Sequence, residues 1–166
     1  NIAANPKLGP ERIRTVEVLL ERRLGSVLKL STSVYRNRAF DLVQDVPTEV
    51  TGVQQYRNIG RMHAEGIELE GEFEWRWLRG RATHALQRGR DEASGNALPN
   101  APRYLGAVNL VLSLPRATTG SVEVRGMSSR RAASGDRVPG YAVSNIWVAV
   151  PLQQRRLRLA GGVYNL

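Results

Sequence analysis

Four glutamates occupy alternate positions of the segment 66–77, at Glu68, Glu70, Glu72 and Glu74. Carboxylates in this number could bind a cation or act as paired acid and base groups. A spacing of two, however, places them in a row along one face of a β-strand. Because a metal or catalytic site needs groups that converge on one point, we interpret the row as a hydrated, arginine-compensated wall that lines a lumen.

The two histidines are the other residues that could support catalysis or metal binding. His63 lies two positions before Glu65, and His84 stands apart from acidic residues. A third ligand is not placed nearby, and neither a Gly-x-Ser-x-Gly nor a His-Glu-x-x-His motif occurs. With no cysteine, thiolate metal sites and disulfides are excluded. We therefore predict no enzyme activity, no cofactor and no metal site in this chain.

Arginine carries most of the positive charge. The chain has 24 Lys+Arg against 15 Asp+Glu, a formal net charge of +9. The arginines are scattered rather than gathered into one basic patch, so we predict no nucleic-acid partner. Three basic clusters are candidate contacts for anionic lipid A or for another anionic ligand, with a generic basic rim as the alternative. These residues are Arg57, Arg61, Arg88, Arg90, Arg130 and Arg131.

Apolar residues fill the positions between the glutamates, including Ile67, Leu69 and Phe73, and the segment ends in Trp75 and Trp77. One acidic face and one apolar face suit a membrane barrel, in which apolar side chains contact lipid and aromatic residues gather at the interface. We predict that Trp75 and Trp77 are membrane-interface anchors on the periplasmic side. A buried sandwich core is the alternative for both.

The same period-two pattern recurs along the chain and predicts about eight strands joined by alternately short and long connections. The long polar connections are predicted at residues 37–55, 89–103 and 128–140, and the short ones near residues 25–26, 78–79, 116–119 and 151–155. The facing of the strand at 141–150 is not assigned. Since no run approaches the ~20 apolar residues of a membrane helix, a membrane location would require a barrel.

Two features predict strand register. A turn centred on Gly25 would place Glu21 opposite Lys29, as an ion pair across a hairpin. In the following hairpin, Arg79 and Arg81 have the parity that faces the glutamate row.

Several short motifs occur in a fixed order along the chain. They are Asn5-Pro6-x-Leu8-x-Pro10-Glu11, Tyr35 with Asp41-Leu42-Val43, Tyr56-x-Asn58-x-Gly60, Glu65-Gly66-Ile67-Glu68-Leu69-Glu70, Pro99-Asn100-Ala101-Pro102-Arg103, Pro139-Gly140-Tyr141 and the terminal Val163-Tyr164-Asn165-Leu166. In this order they resemble the C-terminal barrel region of TonB-dependent outer-membrane receptors, the siderophore and cobalamin transporters. The resemblance covers essentially the whole chain.

The resemblance implies an all-β fold: an antiparallel up-and-down transmembrane β-barrel of about 22 strands that encloses a plug domain. Residues 1–166 would supply about eight late strands of that one domain, with the plug and the closing strand lying outside the segment. The implied location is the bacterial outer membrane. The implied partners are outer-membrane lipid and lipopolysaccharide, a small-molecule ligand such as a metal chelate, and the TonB complex through the plug.

Two other functions stay open at this point. A self-closed eight-stranded barrel would have a structural role and carry no cargo, because its interior is filled by side chains. A soluble basic binding domain would need no membrane at all. The chain opens without a secretory signal, so we expect a mature or internal segment.

Overall fold

Eight strands form one antiparallel sheet in the computed structural model, which describes residues 1–152 and 156–166. The eight are β2 (Arg12–Leu24), β3 (Leu28–Pro47), β4 (Gln54–Trp75), β5 (Leu78–Asp91), β6 (Tyr104–Ser113), β7 (Thr119–Met127), β10 (Tyr141–Leu152) and β11 (Leu157–Val163). Two-residue strands complete the set: β1 (Ile2–Ala3), which pairs in parallel with β4, and β8 (Arg130–Arg131), which pairs with β9 (Arg137–Val138).

The order of the eight strands in the sheet is their order along the chain, so the sheet is a meander. Residues 25–27, 76–77 and 114–118 connect strands at one end, which we call the turn end. The longer connections 48–53, 92–103 and 128–140 lie at the opposite end, the loop end. Among the described connections, those at the loop end are longer than those at the turn end, as predicted, although the first of them is much shorter than expected. Within the described residues, no helix has the length and apolar character needed to cross a membrane.

The two faces of the sheet differ in chemistry. One cross-strand row on the polar face contains Lys29, Glu72, Arg81, Asn109 and Glu123 in register. A neighbouring row on the apolar face contains Leu28, Phe73, Gly80, Leu110 and Val122. The same alternation places Ile146 and Val148 of β10 on the apolar face and Asn145 on the polar face, which assigns a strand that the sequence pattern left open.

The sheet is a single layer rather than a sandwich. The buried residues of the described part of the chain are few and mostly small, namely Ser33, Ala39, Gly60, Pro102, Gly120 and Ala149. Large apolar side chains such as Val18 and Leu20 are instead 68% exposed. An apolar face of this extent is unfavourable in water, so it requires lipid or another protein surface to cover it. Strands β2 and β11 lie at opposite ends of the sheet order, so the described residues do not form a self-closed eight-stranded barrel.

Strand β3 extends well beyond its predicted end, whereas β4 begins close to its expected start, at Gln54. The expected long connection at 37–55 is replaced by continued pairing up to Pro47 opposite Gln54, and the actual connection is residues 48–53. The expectation was wrong because the extension carries charged residues on both faces and so lacks apolar alternation. A strand of 22 residues spans roughly 70 Å, more than twice the ~25 Å apolar band of an outer-membrane barrel.

The first hairpin has a different register from the predicted one. Its turn comprises residues 25–27, so Lys29 pairs with Arg23, and Glu21 pairs with Ser31. The expected ion pair nevertheless forms diagonally, with Lys29 Nζ 2.8 Å from Glu21 Oε1. The direct pairing was wrong because the turn is centred on Ser26 rather than on Gly25.

The second hairpin also turns earlier than predicted. Strand β4 ends at Trp75, and residues 76–77 form the turn, with Arg76 at a φ of 51°. Trp77 is therefore a turn residue and does not continue the strand alternation. Of the predicted connection at 151–155, Pro151 belongs to β10, and residues 153–155 lie outside the described residues.

Candidate functional site

The glutamate row lies on the polar face of β4, where β3 and β5 flank it. In register across β5, Glu70 pairs with Thr83, Glu72 with Arg81 and Glu74 with Arg79, as the parity of β5 predicts. Strand alternation thus places acidic residues of β4 opposite basic residues of β5 in the lower half of the sheet, toward the turn end.

Ion pairs connect these side chains across strands. Arg81 Nη2 lies 2.8 Å from Glu70 Oε2, and Arg81 Nε lies 3.9 Å from Glu72 Oε1. Farther along the sheet, Arg125 Nη2 lies 2.8 Å from Glu123 Oε1, and the second Glu123 oxygen accepts a hydrogen bond from Asn145. Basic and acidic groups therefore neutralise one another on this face, which is polar without carrying a large net field.

The glutamates do not converge on a common point. Within residues 1–152 and 156–166, no group of three His, Cys, Asp or Glu side chains is arranged to hold a metal ion. His63 Nδ1 approaches Glu92 Oε1 at 3.7 Å rather than joining the β4 glutamates. His84 lies on the apolar face, 6.3 Å between ring centroids from Tyr104.

The N-terminal segment is held against the loop-end half of β4 by two asparagines. Asn58 donates from Nδ2 to the carbonyls of Gly9 at 2.9 Å and Asp41 at 2.8 Å, and its Oδ1 accepts from Gly9 N at 2.8 Å. Asn5 Nδ2 donates to Tyr56 O at 2.7 Å. These contacts explain why an Asn-Pro motif at the start of the chain accompanies a Tyr-x-Asn motif about fifty residues later.

All six arginines singled out from the sequence lie toward the loop end, but they do not form one site. Arg57 and Arg61 belong to β4, and Arg88 and Arg90 belong to β5, so these four are strand residues rather than loop residues. Arg130 and Arg131 form the separate strand β8.

A small basic cavity lies beside β8, with a volume of about 420 Å³. Arg130 and Arg131 line it together with Arg103 and Arg137, and Arg131 O accepts a hydrogen bond from Asn100 N at 2.7 Å. This contact joins the small hairpin to the connection 92–103. Arginines that line one cavity can bind an anion by paired hydrogen bonds, although the Arg137 guanidinium also donates to Ser129 Oγ.

Sequence reasoning missed three arginines, Arg14, Arg36 and Arg38. They extend the apolar face of β2 and β3 toward the loop end, where they pair in register with one another and with β4. The alternate spacing of Arg36 and Arg38 could have indicated that the strand continues. The prediction did not use it, because it ended each strand at its last apolar residue.

The two predicted anchor residues are half-exposed at the turn end. Trp75 is 54% exposed on the apolar face, with the Arg76 guanidinium carbon 5.7 Å from its ring centroid, and Trp77 is 49% exposed in the turn. Burial in a protein core, the alternative considered for them, does not occur in this sheet. Trp147, the third tryptophan, lies on the polar face under Arg158, at 5.4 Å.

Asp91, the last residue of β5 at the loop end, has a perturbed pKa. Ser94 donates to Asp91 Oδ1 from both its backbone N and its hydroxyl, each at 2.7 Å. These hydrogen bonds favour the carboxylate and hold the pKa of Asp91 below its usual range. Asp91 therefore organises the first turn of the connection 92–103 at neutral pH.

Comparison with known proteins accounts for this architecture. The model of the family described as TonB dependent receptor-like, beta-barrel matches residues 1–166. The chain belongs to the TonB-dependent receptor β-barrel family. It is thus an outer-membrane protein of a Gram-negative bacterium, and its relatives are transport receptors rather than enzymes.

Curated relatives of this receptor segment include the heme/hemopexin utilization protein C of Haemophilus influenzae. The chain is 26% identical to the protein of strain 86-028NP over 187 residues, which cover 100% of the chain and 26% of that protein. Identity to the strain Rd protein is 25%, covering 98% of the chain and 27% of the relative. The chain spans about a quarter of the length of the curated relatives it matches.

Solved TonB-dependent receptors share the fold. The ferric-catecholate import receptor Fiu of E. coli K12 superposes with a TM-score of 0.78 at 18% identity, covering 98% of the chain and 24% of Fiu. The Pseudomonas aeruginosa ferripyoverdine receptor gives 0.78 at 14% identity, covering 96% of the chain and 24% of the receptor. At these identities the likeness concerns the fold.

Proposed function

We propose that residues 1–166 form late strands of one barrel domain in a longer outer-membrane receptor, which imports an iron chelate or haem with TonB-derived energy. The observation that carries this proposal is the single-layer sheet with two faces of different chemistry. The apolar face suits lipid, and the charge-balanced polar face suits a wet barrel interior. The plug, the remaining strands and the contact with TonB would lie in the rest of the receptor.

In this arrangement the loop end is extracellular and the turn end is periplasmic. Glu68, Glu70, Glu72 and Glu74 form part of the lumen wall, and Trp75 and Trp77 lie at the periplasmic membrane interface. Unpaired backbone groups along β2 and β11 would be satisfied by neighbouring strands of the complete barrel, since lipid offers no hydrogen bonds.

Quenching of tryptophan fluorescence by lipids brominated at defined depths tests the position of Trp75 and Trp77. Strongest quenching by lipids brominated near the bilayer centre would contradict an interfacial position.

The names of the curated relatives favour haem as the cargo, and the solved structures add ferric siderophores as alternatives. Uptake of radiolabelled cargo by cells that express the full-length receptor tests the proposal, with iron-labelled haem, an iron-labelled ferric catecholate and cobalt-labelled cobalamin supplied separately. We expect energy-dependent uptake of one iron-containing compound, abolished when TonB is deleted. Uptake that persists without TonB, or none with any compound, would refute the import proposal.

We further propose that the basic cavity beside β8 contacts the anionic cargo. Replacing Arg130 and Arg131 by glutamine should raise the half-saturating cargo concentration at least about tenfold, since the loss of even one hydrogen bond between charged groups costs ~1.5 kcal/mol. The maximal rate should change little, because residues at the loop end would act on capture of the cargo rather than on its later passage. Arg22→Gln, toward the turn end, is the control and should leave both values unaltered.

A further inference from the structure

Gln87 connects the polar face of the sheet to the end of the connection 92–103. It pairs in register with Gly66 of β4, which pairs with Tyr35 of β3, so the three residues form one row on the polar face. Because Gly66 has no side chain, the Tyr35 ring extends across β4, and its hydroxyl donates to Gln87 Oε1 at 3.3 Å. Gln87 Nε2 in turn donates to the carbonyl of Pro102 at 3.0 Å. A chain of hydrogen bonds therefore runs from β3 to this connection.

These hydrogen bonds hold the main chain of Arg103, which lines the basic cavity beside β8. Gln87 donates to two consecutive carbonyls, from its side chain to Pro102 O and from its backbone N to Arg103 O, the latter at 2.9 Å. Together the two bonds fix the orientation of the peptide unit between Pro102 and Arg103. Since Pro102 is buried, a carbonyl that lost the Gln87 donor would be costly, and the segment would have to shift.

Ser128 holds the same segment from the other side. Its Oγ accepts hydrogen bonds from Arg103 N at 3.0 Å and from Tyr104 N at 3.2 Å. Ser128 lies just before β8, whose residues Arg130 and Arg131 line the cavity with Arg103. The position of the Arg103 main chain therefore sets the separation between the first cavity arginine and those of β8.

We propose that Gln87, supported by Tyr35, is a positioning residue for the basic cavity. It acts through the main chain of Arg103, because guanidinium groups can bind one anion together only at a suitable separation. The inference rests on the proposed function, in which this cavity contacts the anionic cargo. It adds that the affinity of a loop-end site is set from the polar face, by a side chain that does not line the cavity.

Hydrogen exchange of the full-length receptor in detergent, measured without cargo, tests the positioning directly. Gln87→Leu removes both side-chain hydrogen bonds, and Gln87→Glu keeps the size of the side chain but, when ionised, cannot donate to Pro102 O. Both variants should increase the exchange rates of the Arg103 and Tyr104 amides about five- to tenfold. Tyr35→Phe leaves the bond to Pro102 in place, so it should increase these rates only about twofold.

The matched control is Gln55→Leu. Gln55 Nε2 also donates to a main-chain carbonyl, that of Ala4 at 2.9 Å, but it holds the N-terminal segment rather than the cavity. This variant should leave the exchange rates of the Arg103 and Tyr104 amides unaltered. Unaltered rates in Gln87→Leu, or an equal increase in Gln55→Leu, would overturn the proposal.

Haem binding to the same purified receptor tests whether Gln87 acts through Arg103. Gln87→Leu should raise the half-saturating haem concentration about fivefold, as should Arg103→Gln. Adding Gln87→Leu to Arg103→Gln should raise it by less than about twofold more, because two residues that act as a unit are not additive. A second full increase of about fivefold would overturn the proposal, since Gln87 would then act independently of Arg103.

Failure of this inference is distinguishable from failure of the proposed function. If Arg103→Gln left haem binding unaltered, the cavity would not be the haem site, and the exchange rates alone would decide whether Gln87 positions Arg103. If Arg103→Gln weakened binding and Gln87→Leu did not, the cavity would stand as the cargo site and the positioning role would be refuted.

Discussion

Gly66 lies where Tyr35 crosses the polar face, and replacing it by alanine should destabilise the sheet. A Cβ at this position would lie 2.6 Å from Tyr35 Oη, 2.7 Å from Tyr35 Cζ and 2.9 Å from Leu86 O. Ordinary contacts are ~3.5–4.0 Å, so the tyrosine ring would have to move by about 1 Å. That movement would also break the 3.3 Å hydrogen bond from Tyr35 Oη to Gln87 Oε1.

The expected size follows from two opposing terms. Overpacking of this kind costs ~1–3 kcal/mol, and the reduced freedom of the unfolded chain returns about 0.4–1 kcal/mol. The net loss for Gly66→Ala should be ~1–2 kcal/mol. Gly71→Ala in the same strand is the control, because its Cβ would meet only Leu30 Cδ2, at 3.5 Å. Its expected change is within about 0.5 kcal/mol.

Urea unfolding of the full-length receptor in detergent micelles gives the free energy of unfolding of both variants. Tryptophan fluorescence and the band shift on cold gels report the transition. The decisive comparison repeats Gly66→Ala in a Tyr35→Ala background, where most of the penalty should vanish and leave a coupling of ~1–2 kcal/mol. Equal costs for Gly66→Ala and Gly71→Ala would refute the reasoning. So would a penalty that survives removal of the tyrosine ring.

Two further predictions concern residues at the loop end. Asn58→Ala removes three hydrogen bonds to Gly9 and Asp41, at a local cost of about 2 kcal/mol. Residues 1–11 should therefore become more sensitive to protease and exchange their amide hydrogens faster, whereas the control Asn109→Ala should leave that segment protected. The lowered pKa of Asp91 stabilises its turn above the ordinary value of 3.8, and this contribution is lost as pH falls through the folded pKa. The protection factor of the Ser94 amide should therefore drop in acid, and Asp91→Asn should abolish that pH response.

Period-two alternation was sufficient to predict the sheet where one face is apolar. It predicted the polar facing of the β4 glutamates and their pairing with Arg79 and Arg81, because in this part of the sheet apolar residues fill the alternate positions of β4. The alternation did not predict the part of β3 that follows Tyr35. There the strand carries charged residues on both faces, and its register with β4 shifts between Ala39 and Leu42. A bulge of this kind depends on backbone geometry, such as the φ of 57° at Asp41, for which the sequence gives only a weak signal.

The candidate sites were predicted less completely than the fold. Arg88 and Arg90 were identified as basic residues, but their neighbours Arg36 and Arg38 come from another strand and are brought beside them only through Glu65 and His63 of β4. Predicting that juxtaposition required an exact register across three strands. The first hairpin shows the difficulty, since a one-residue shift in the centre of its turn alters every pairing along β2 and β3.

The meander order has a consequence for how such barrels change in size. Each long strand hydrogen-bonds to its neighbours along the sheet path, and no connection crosses another strand of that path. A hairpin can therefore be duplicated or deleted as a unit, which widens or narrows the wall by two strands without rethreading the chain. Because the β8–β9 excursion lies off this path, loop-end segments of this kind can diversify for new cargo while the wall keeps its strand count.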